Sequence, residues 1–369
     1  MVKNLKIYFC ILILLSCNNK HDFPEVLELK EIELVSDKLL ITKIIPLASS
    51  QSNLLGPYLN VKYNKDDFWI LDKDNMDAIH GFNWEGESIG YVAVKGEGPG
   101  QLDNLLDFTL SNNKIIALSN LGNEINLSTY SSDNTLLSKD RYPINCFTFC
   151  INNKEGYWLY SGYNKMAGEF RLLSIDAGGQ VINSFLKNDF NENMLPLSES
   201  SFFEGDGETL FRESFKPKVY KMNESGPELK YSFSFGELQV PDAYWEMDAM
   251  SGFEMINKNG FANIEFVSEN SQFVIFDIFI QKENAIWKEI ILLNKDTKDV
   301  RKLKVEAEKN GHFLTPIGIE NDNLLFISYA PYLVRNKDNL NISNELIMTM
   351  DAIVEEDNPV IIYAKIPNF

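Results

Sequence analysis

The stretch DDFWILDKDNMDAIHGFNWEGESIGYVAV, residues 66–94, decides how the rest of the chain is read. Phe68-Trp69-Ile70-Leu71 reads as one strand, Ala78 to Phe82 as a second and Ile89 to Val94 as a third, with Trp84-Glu85-Gly86-Glu87 as the hairpin turn between the last two. The same order returns in residues 113–139, where Ser131-Ser132-Asp133-Asn134 takes the turn, and in residues 155–185, where Asp176-Ala177-Gly178-Gly179 does. Weaker copies occupy residues 207–236 and 271–303. A last one begins at residues 322–329 and is completed by NPVIIYAKIPNF at the chain's end. Phe68, Ile115, Tyr157, Leu210, Phe273 and Leu324 are equivalent first-strand positions, separated by 47, 42, 53, 63 and 51 residues. Units of roughly 40–50 residues that are too small to bury their own apolar face must stack on one another.

Six copies, each gaining a fourth strand from its flanking linker, predict an all-β fold: a six-bladed β-propeller with four-stranded blades. Residues 31–47, EIELVSDKLLITKIIPL, hold two alternating runs ahead of the first full copy and are expected to pair with C-terminal strands, closing the circle and removing most sheet edges. A β-sandwich, whose short strands look alike in sequence, is the rival fold.

Composition agrees with a packed sheet protein. Apolar residues make up 44% and aromatics 12%, and 25 Phe with 15 Tyr suit pleated, half-buried surfaces better than a helix bundle, so disorder is a poor description. The formal charge of −19 becomes −21 when Lys3 and Lys6 leave with the leader. No basic stretch offers the footprint that phosphate neutralisation requires, which argues against nucleic acid as a partner.

The opening MVKNLKIYFCILILLSC has two lysines, an apolar run from Ile7 to Leu15 and then Ser16-Cys17, the order of a secretory signal. That run falls short of the ~20 residues a membrane-crossing helix needs. Leu14-Leu15-Ser16-Cys17 resembles the lipobox of bacterial lipoproteins, in which the cysteine is acylated and becomes the mature N-terminus. The expected organisation is therefore a signal peptide over 1–16, a lipidated tether over 17–30 attached through Cys17, and the propeller over 31–369. Multiple acyl chains anchor stably at about 0.8 kcal/mol per buried methylene. Asn18 gives no sign of inner-membrane retention, so an outer-membrane lipoprotein is expected, facing either the periplasm or the cell surface. Cys146 and Cys150, in the alternating run Asn-Cys-Phe-Thr-Phe-Cys, stand about 13 Å apart along a strand. This exceeds the roughly 7 Å limit for a disulfide, so buried free thiols are expected.

Three further features carry a family resemblance: the link Val94-Lys95-Gly96-Glu97-Gly98-Pro99-Gly100-Gln101-Leu102, the following Asp107-Phe108, and the closing Asp357-Asn358-Pro359-Val360. With them, residues 31–369 resemble six-bladed propeller lipoproteins of Bacteroidetes-type bacteria, related in architecture to NHL-repeat propellers. Gln101 departs from the acidic residue more usual there. The resemblance implies an extracytoplasmic propeller and assigns no chemistry.

The residues themselves offer few sites. Gly96 to Gly100 lacks the Lys-Ser/Thr and following helix of a phosphate cradle, and Pro99 removes an amide, so it reads as a tight inter-blade turn. The histidines are His21 in the tether, His80 in a strand and His312 at the start of the last blade; His312 is the one expected to face the channel. Asp72-Lys73-Asp74-Asn75-Met76-Asp77 lacks the glycine and distal glutamate of an EF-hand loop and reads as a solvated turn before a cation site. The longest insertion, residues 236–261, offers Tyr244 and Trp245 with Asp242, Glu246 and Asp248, a set suited to stacking on a sugar or peptide. Packing the insertion down is the alternative role of those rings. Residues 344–353 read as a short amphipathic helix serving as lid or brace.

The leading functional expectation is a membrane-anchored propeller that binds a small molecule, glycan or protein partner through its central funnel, with Asp242, Tyr244, Trp245, Asp248 and His312 as the candidate contacts. The rivals are a lactonase-like or lyase-like enzyme using a divalent cation such as Ca2+ in the channel, and an architectural partner of an outer-membrane complex. No residue is singled out as catalytic or metal-ligating.

Overall fold

The computed structural model describes residues 26–35, 39–98, 100–152, 156–190, 200–283, 285–306 and 314–367. Residues 1–25, which hold Cys17 and His21 and most of the expected leader and tether, lie outside them, as do Pro99 and His312. Among the described residues no helix is long and apolar enough to cross a membrane.

Six antiparallel sheets follow one another along the chain and form the six blades of a β-propeller. Blade one comprises Leu59–Tyr63, Asp67–Asp72, Ile79–Asn83 and Ser88–Val92, and blade two Leu105–Ser111, Lys114–Leu121, Glu124–Ser131 and Leu136–Tyr142. Blade three comprises Thr148–Ile151, Tyr157–Tyr160, Phe170–Ile175 and Val181–Lys187, and blade four Phe202–Gly205, Glu208–Arg212, Lys218–Asn223 and Gly226–Ser234. Blade five runs through Phe261–Glu269, Phe273–Lys282, Ala285–Asn294 and Val300–Glu306. Blade six takes Leu314–Glu320, Asn323–Ser328 and Val360–Lys365 from the C-terminal end and Leu40–Pro46 from the N-terminal end.

The position read as the first strand in each repeat is the second strand of its blade. Phe68, for example, lies on Asp67–Asp72, and the missing fourth strand is the inner one just upstream, here Leu59–Tyr63. The turn residues are where the repeat placed them: the amides of Gly86, Asn134 and Gly179 close onto the carbonyls of Asn83, Ser131 and Asp176 at 3.0, 3.1 and 3.0 Å.

The second strands show why apolar runs appear where one-sided sheets would alternate. Successive side chains point to opposite faces of a strand, and here each face meets a different neighbouring blade. Phe68 and Ile70 pack with Ile361 and Leu325 of blade six, whereas Trp69 and Leu71 pack with Phe108 and Ile115 of blade two. Ile115 and Ala117 likewise face blade one, and Ile116 and Leu118 face blade three. The ring is thus held by apolar clusters at every blade junction, including that between blades six and one.

Closure follows the expected route, with Leu40–Pro46 antiparallel to Val360–Lys365. Upstream of that strand the chain also covers two other edges, since Val26–Glu28 adds a parallel strand to blade four and Glu33–Leu34 one to blade five. The link between blades one and two is a tight turn: Gly96 N donates to Leu102 O at 2.9 Å, and Gln101 Oε1 accepts from Gly98 N at 2.7 Å. A Cβ on Gly96 would lie 2.2 Å from that Gln101 oxygen, so a side chain there would displace the glutamine from its bond to Gly98. Residues 344–353 form a 3-10 turn, Asn344–Leu346, and a helix, Ile347–Ala352, whose Met350 is buried in the core between blades five and six as a brace.

Candidate functional site

The inner strands of all six blades converge on one cavity of about 480 Å³ along the ring axis. Its walls come from the second halves of those strands, Val61 to Tyr63, Thr109, Phe149 to Ile151, Phe266, Ser268, Glu269, Ile317 and Ile319 among them, and from the turn of blade four between Gly205 and Thr209. It therefore opens on the face that carries the turns from inner to second strands. This volume falls in the range of small-molecule sites.

The mouth is strongly charged and largely self-compensated. Lys230 joins Glu208, at 2.7 Å, to Glu269, and Lys295 holds Glu269 at 3.2 Å and Asp206 at 3.3 Å. Lys221 also pairs with Glu208. Burial, which raises a carboxyl, is outweighed by the hydrogen bonds from Lys221 and Lys230, and Glu208 is held below the usual carboxylate range. The Glu269 carboxylate is shut off from solvent and also accepts from the Tyr231 hydroxyl at 2.7 Å. Tyr63 is pushed up to about 12, by burial first and then by Glu320 and Glu204.

Deeper in the ring the polar groups serve cohesion. Asp107, 4% exposed, accepts from Asn60 Nδ2 at 2.8 Å, from the amide of Phe108 at 2.9 Å and from the Thr148 hydroxyl, tying together the inner strands of blades one, two and three. Lys73 donates to Leu106 O at 3.2 Å, and burial lowers its pKa although Asp107 opposes this. Asp72, expected in a solvated turn, is wholly buried. It receives the amides of Gly56 at 2.8 Å and Asp74 at 2.9 Å and the side-chain amide of Asn75 at 2.7 Å, which shape that turn. Among the described residues no group of three or more His, Cys, Asp or Glu is arranged to hold a metal ion.

The insertion candidates lie at the other face of the ring. Tyr244 is wholly buried and Trp245 is 6% exposed, in a cluster with Tyr163, Phe215 and Phe261 that also receives Phe190 and Phe253. The Lys216 ammonium sits 3.9 Å from the Trp245 ring centre, a cation–π contact. Rings enclosed in this way pack the insertion down and offer no open stacking surface. Asp248 caps the helix Ala249–Asn259, accepting from the amides of Met250 and Ser251 at 3.1 Å, and Asp242 is exposed at the start of the 3-10 helix Asp242–Glu246. His80 is buried in its strand, 3.4 Å from Asp77.

Lys62, Glu204, Asp206, Glu208 and Glu269, which dominate the channel, carried no motif in the sequence. Their signal was positional: all but Glu208, which begins the second strand of blade four, lie on or beside the inner strand that precedes a recognised repeat, toward its C-terminal end.

Residues 28–365 match the family described as domain of unknown function DUF4934. The chain belongs to this family. No protein of curated function matches it. Among solved structures, the fold is similar to that of a protein of Bacteroides fragilis described as exported, at TM-score 0.72 and 17% identity over 91% of this chain and 98% of that one. It is also similar to a DUF4221 family member from Bacteroides vulgatus, at TM-score 0.55 and 12% identity over 90% and 97% of the two chains. At such identities the likeness speaks for the DUF4934 fold alone.

Proposed function

We propose that this DUF4934 protein is an exported lipoprotein whose propeller holds a small polar ligand, or the end of a glycan or peptide, in its central channel. One observation carries the reading: six separate inner strands bring charged and aromatic groups to a single open cavity of ligand size. A second cavity of about 390 Å³, on the flank between blades four and five, draws on fewer elements and shares Glu208 with the channel mouth. The leader supports export, and the Leu14-Leu15-Ser16-Cys17 sequence supports anchoring through an acylated Cys17 in the outer membrane.

The test is a thermal-shift screen of sugars, sugar acids and short peptides on the wild-type chain and on Thr209→Trp, which narrows the mouth. A ligand at 100 times its dissociation constant adds about 2.7 kcal/mol of stability. A shift in the wild type that disappears in the variant, whose ligand-free melting is unchanged, supports channel binding. Equal shifts in both proteins reject it. Incorporation of labelled palmitate that is lost in Cys17→Ala tests the anchor separately.

A further inference from the structure

The charges around the channel are unequally matched. Asp206, Glu208 and Glu269 are each tied to lysines, whereas Lys62 and Glu204, lining the same cavity from blades one and four, enter no ion pair among the described residues. Lys62 reaches from blade one to blade four, on the opposite side of the ring, where its ammonium donates to the Phe202 carbonyl at 3.5 Å. That is the long limit for such a bond, against a usual 2.9–3.0 Å. Phe202 stands two residues before Glu204 on the inner strand Phe202–Gly205, so the Lys62 ammonium reaches the strand that carries Glu204, and both side chains line the one cavity.

An ammonium on the cavity wall with one long bond to a neutral carbonyl keeps donors to offer a ligand. An arriving carboxylate would replace that bond with a charge-assisted one in a medium of lower dielectric than water. Glu204, when ionised, only accepts, so the ligand atom beside it must donate. We propose that the channel's ligand is a small molecule bearing a carboxylate and a neighbouring hydroxyl or ammonium, its carboxylate seated on Lys62 and its donor on Glu204. This rests on the channel-binding reading above and names the chemistry it selects. Sugar acids and short peptides with a free C-terminus both carry these groups.

Calorimetric titration of the full chain distinguishes the two sources: galacturonate against galactose in one arm, dialanine against its C-terminal amide in the other. In at least one arm the acid is expected to bind about tenfold or more tightly than its neutral counterpart, a difference of about 1.4 kcal/mol. Lys62→Gln is expected to erase that preference, and Lys62→Arg, which restores the charge, to recover most of it. Equal binding of acid and neutral forms overturns the inference, as does an acid preference untouched in a folded Lys62→Gln, or failure of both acids to bind at millimolar concentration. Neutral ligands that bind wild type as tightly as their acids do, but not Thr209→Trp, would overturn the inference and leave channel binding standing. Acids that bind Thr209→Trp undiminished would remove channel binding itself.

Discussion

The side-chain amide of Asn358 donates to the carbonyl of Asn53 at 3.0 Å, across 305 residues of sequence, and so fastens the entry to the last strand onto the approach to the first blade. The same amide donates to Ala48 O at 2.9 Å, and its oxygen accepts from the amide of Leu55 at 2.9 Å. Asn358 is 1% exposed, so water cannot replace these bonds. The ring is closed by strand pairing between Leu40–Pro46 and Val360–Lys365, and Asn358 fixes the geometry in which that pairing meets blade one.

Asn358→Ala is therefore expected to lower stability by on the order of 3 kcal/mol, because it leaves buried backbone groups unpaired as well as removing the bonds. The urea midpoint of unfolding measures this. A midpoint unchanged from wild type would show that the amide contributes nothing to closure.

A pH dependence should arise between blades five and six, where one ammonium serves two carboxylates. Lys288 lies 2.6 Å from Asp277 and 3.0 Å from Glu265. Burial pushes Asp277 up to about 6; Lys288 opposes this and Glu265 adds to it. Lys288 itself, despite its burial, is held protonated by Asp277 and Glu265. An unfolded Asp titrates near about 3.9, so between about 4 and 6 the folded chain binds more protons than the unfolded one. The stability from this group is full below about 4 and is lost as pH rises through about 6. Comparing wild type with Asp277→Asn at several pH values from 4 to 7, the difference in unfolding free energy should change by roughly 3 kcal/mol at most. Parallel curves for the two proteins would exclude Asp277 as the source.

The thiols should be silent. Cys146 and Cys150 are buried and unbridged, and burial raises both well above the ordinary thiol range. A disulfide reagent such as Ellman's should find neither thiol in the folded, processed chain and both after unfolding in guanidinium. Rapid release of one equivalent from the native protein would contradict this.

Much of the fold was legible because strand alternation and turn chemistry agree in each repeat. Asn83 to Gly86, Ser131 to Asn134 and Asp176 to Gly179 close equivalent hairpins, and Phe68, Ile115 and Leu324 lie on equivalent strands. The inner strands were harder to see. Thr148–Ile151 and Phe202–Gly205 are only four residues long, too short for a periodic signal, and their importance comes from converging on the axis. The channel residues were hidden for the same reason, since Lys62 and Glu204 are 142 positions apart and line one cavity only because blades one and four face each other. Tyr244 and Trp245 show the reverse case. An aromatic pair flanked by acids looks the same in sequence whether its rings are open or, as here, enclosed by Tyr163, Phe190 and Phe215.

The central claim is that ligand binds between the six inner strands. The most direct measurement is a crystal structure of the full chain grown with a compound that raises its melting temperature. The expected result places that compound in the axial cavity, within hydrogen-bond distance of Lys62 or Glu204. A compound seated instead in the flank cleft beside Lys221 and Lys298, or against Trp245 on the opposite face, would contradict it.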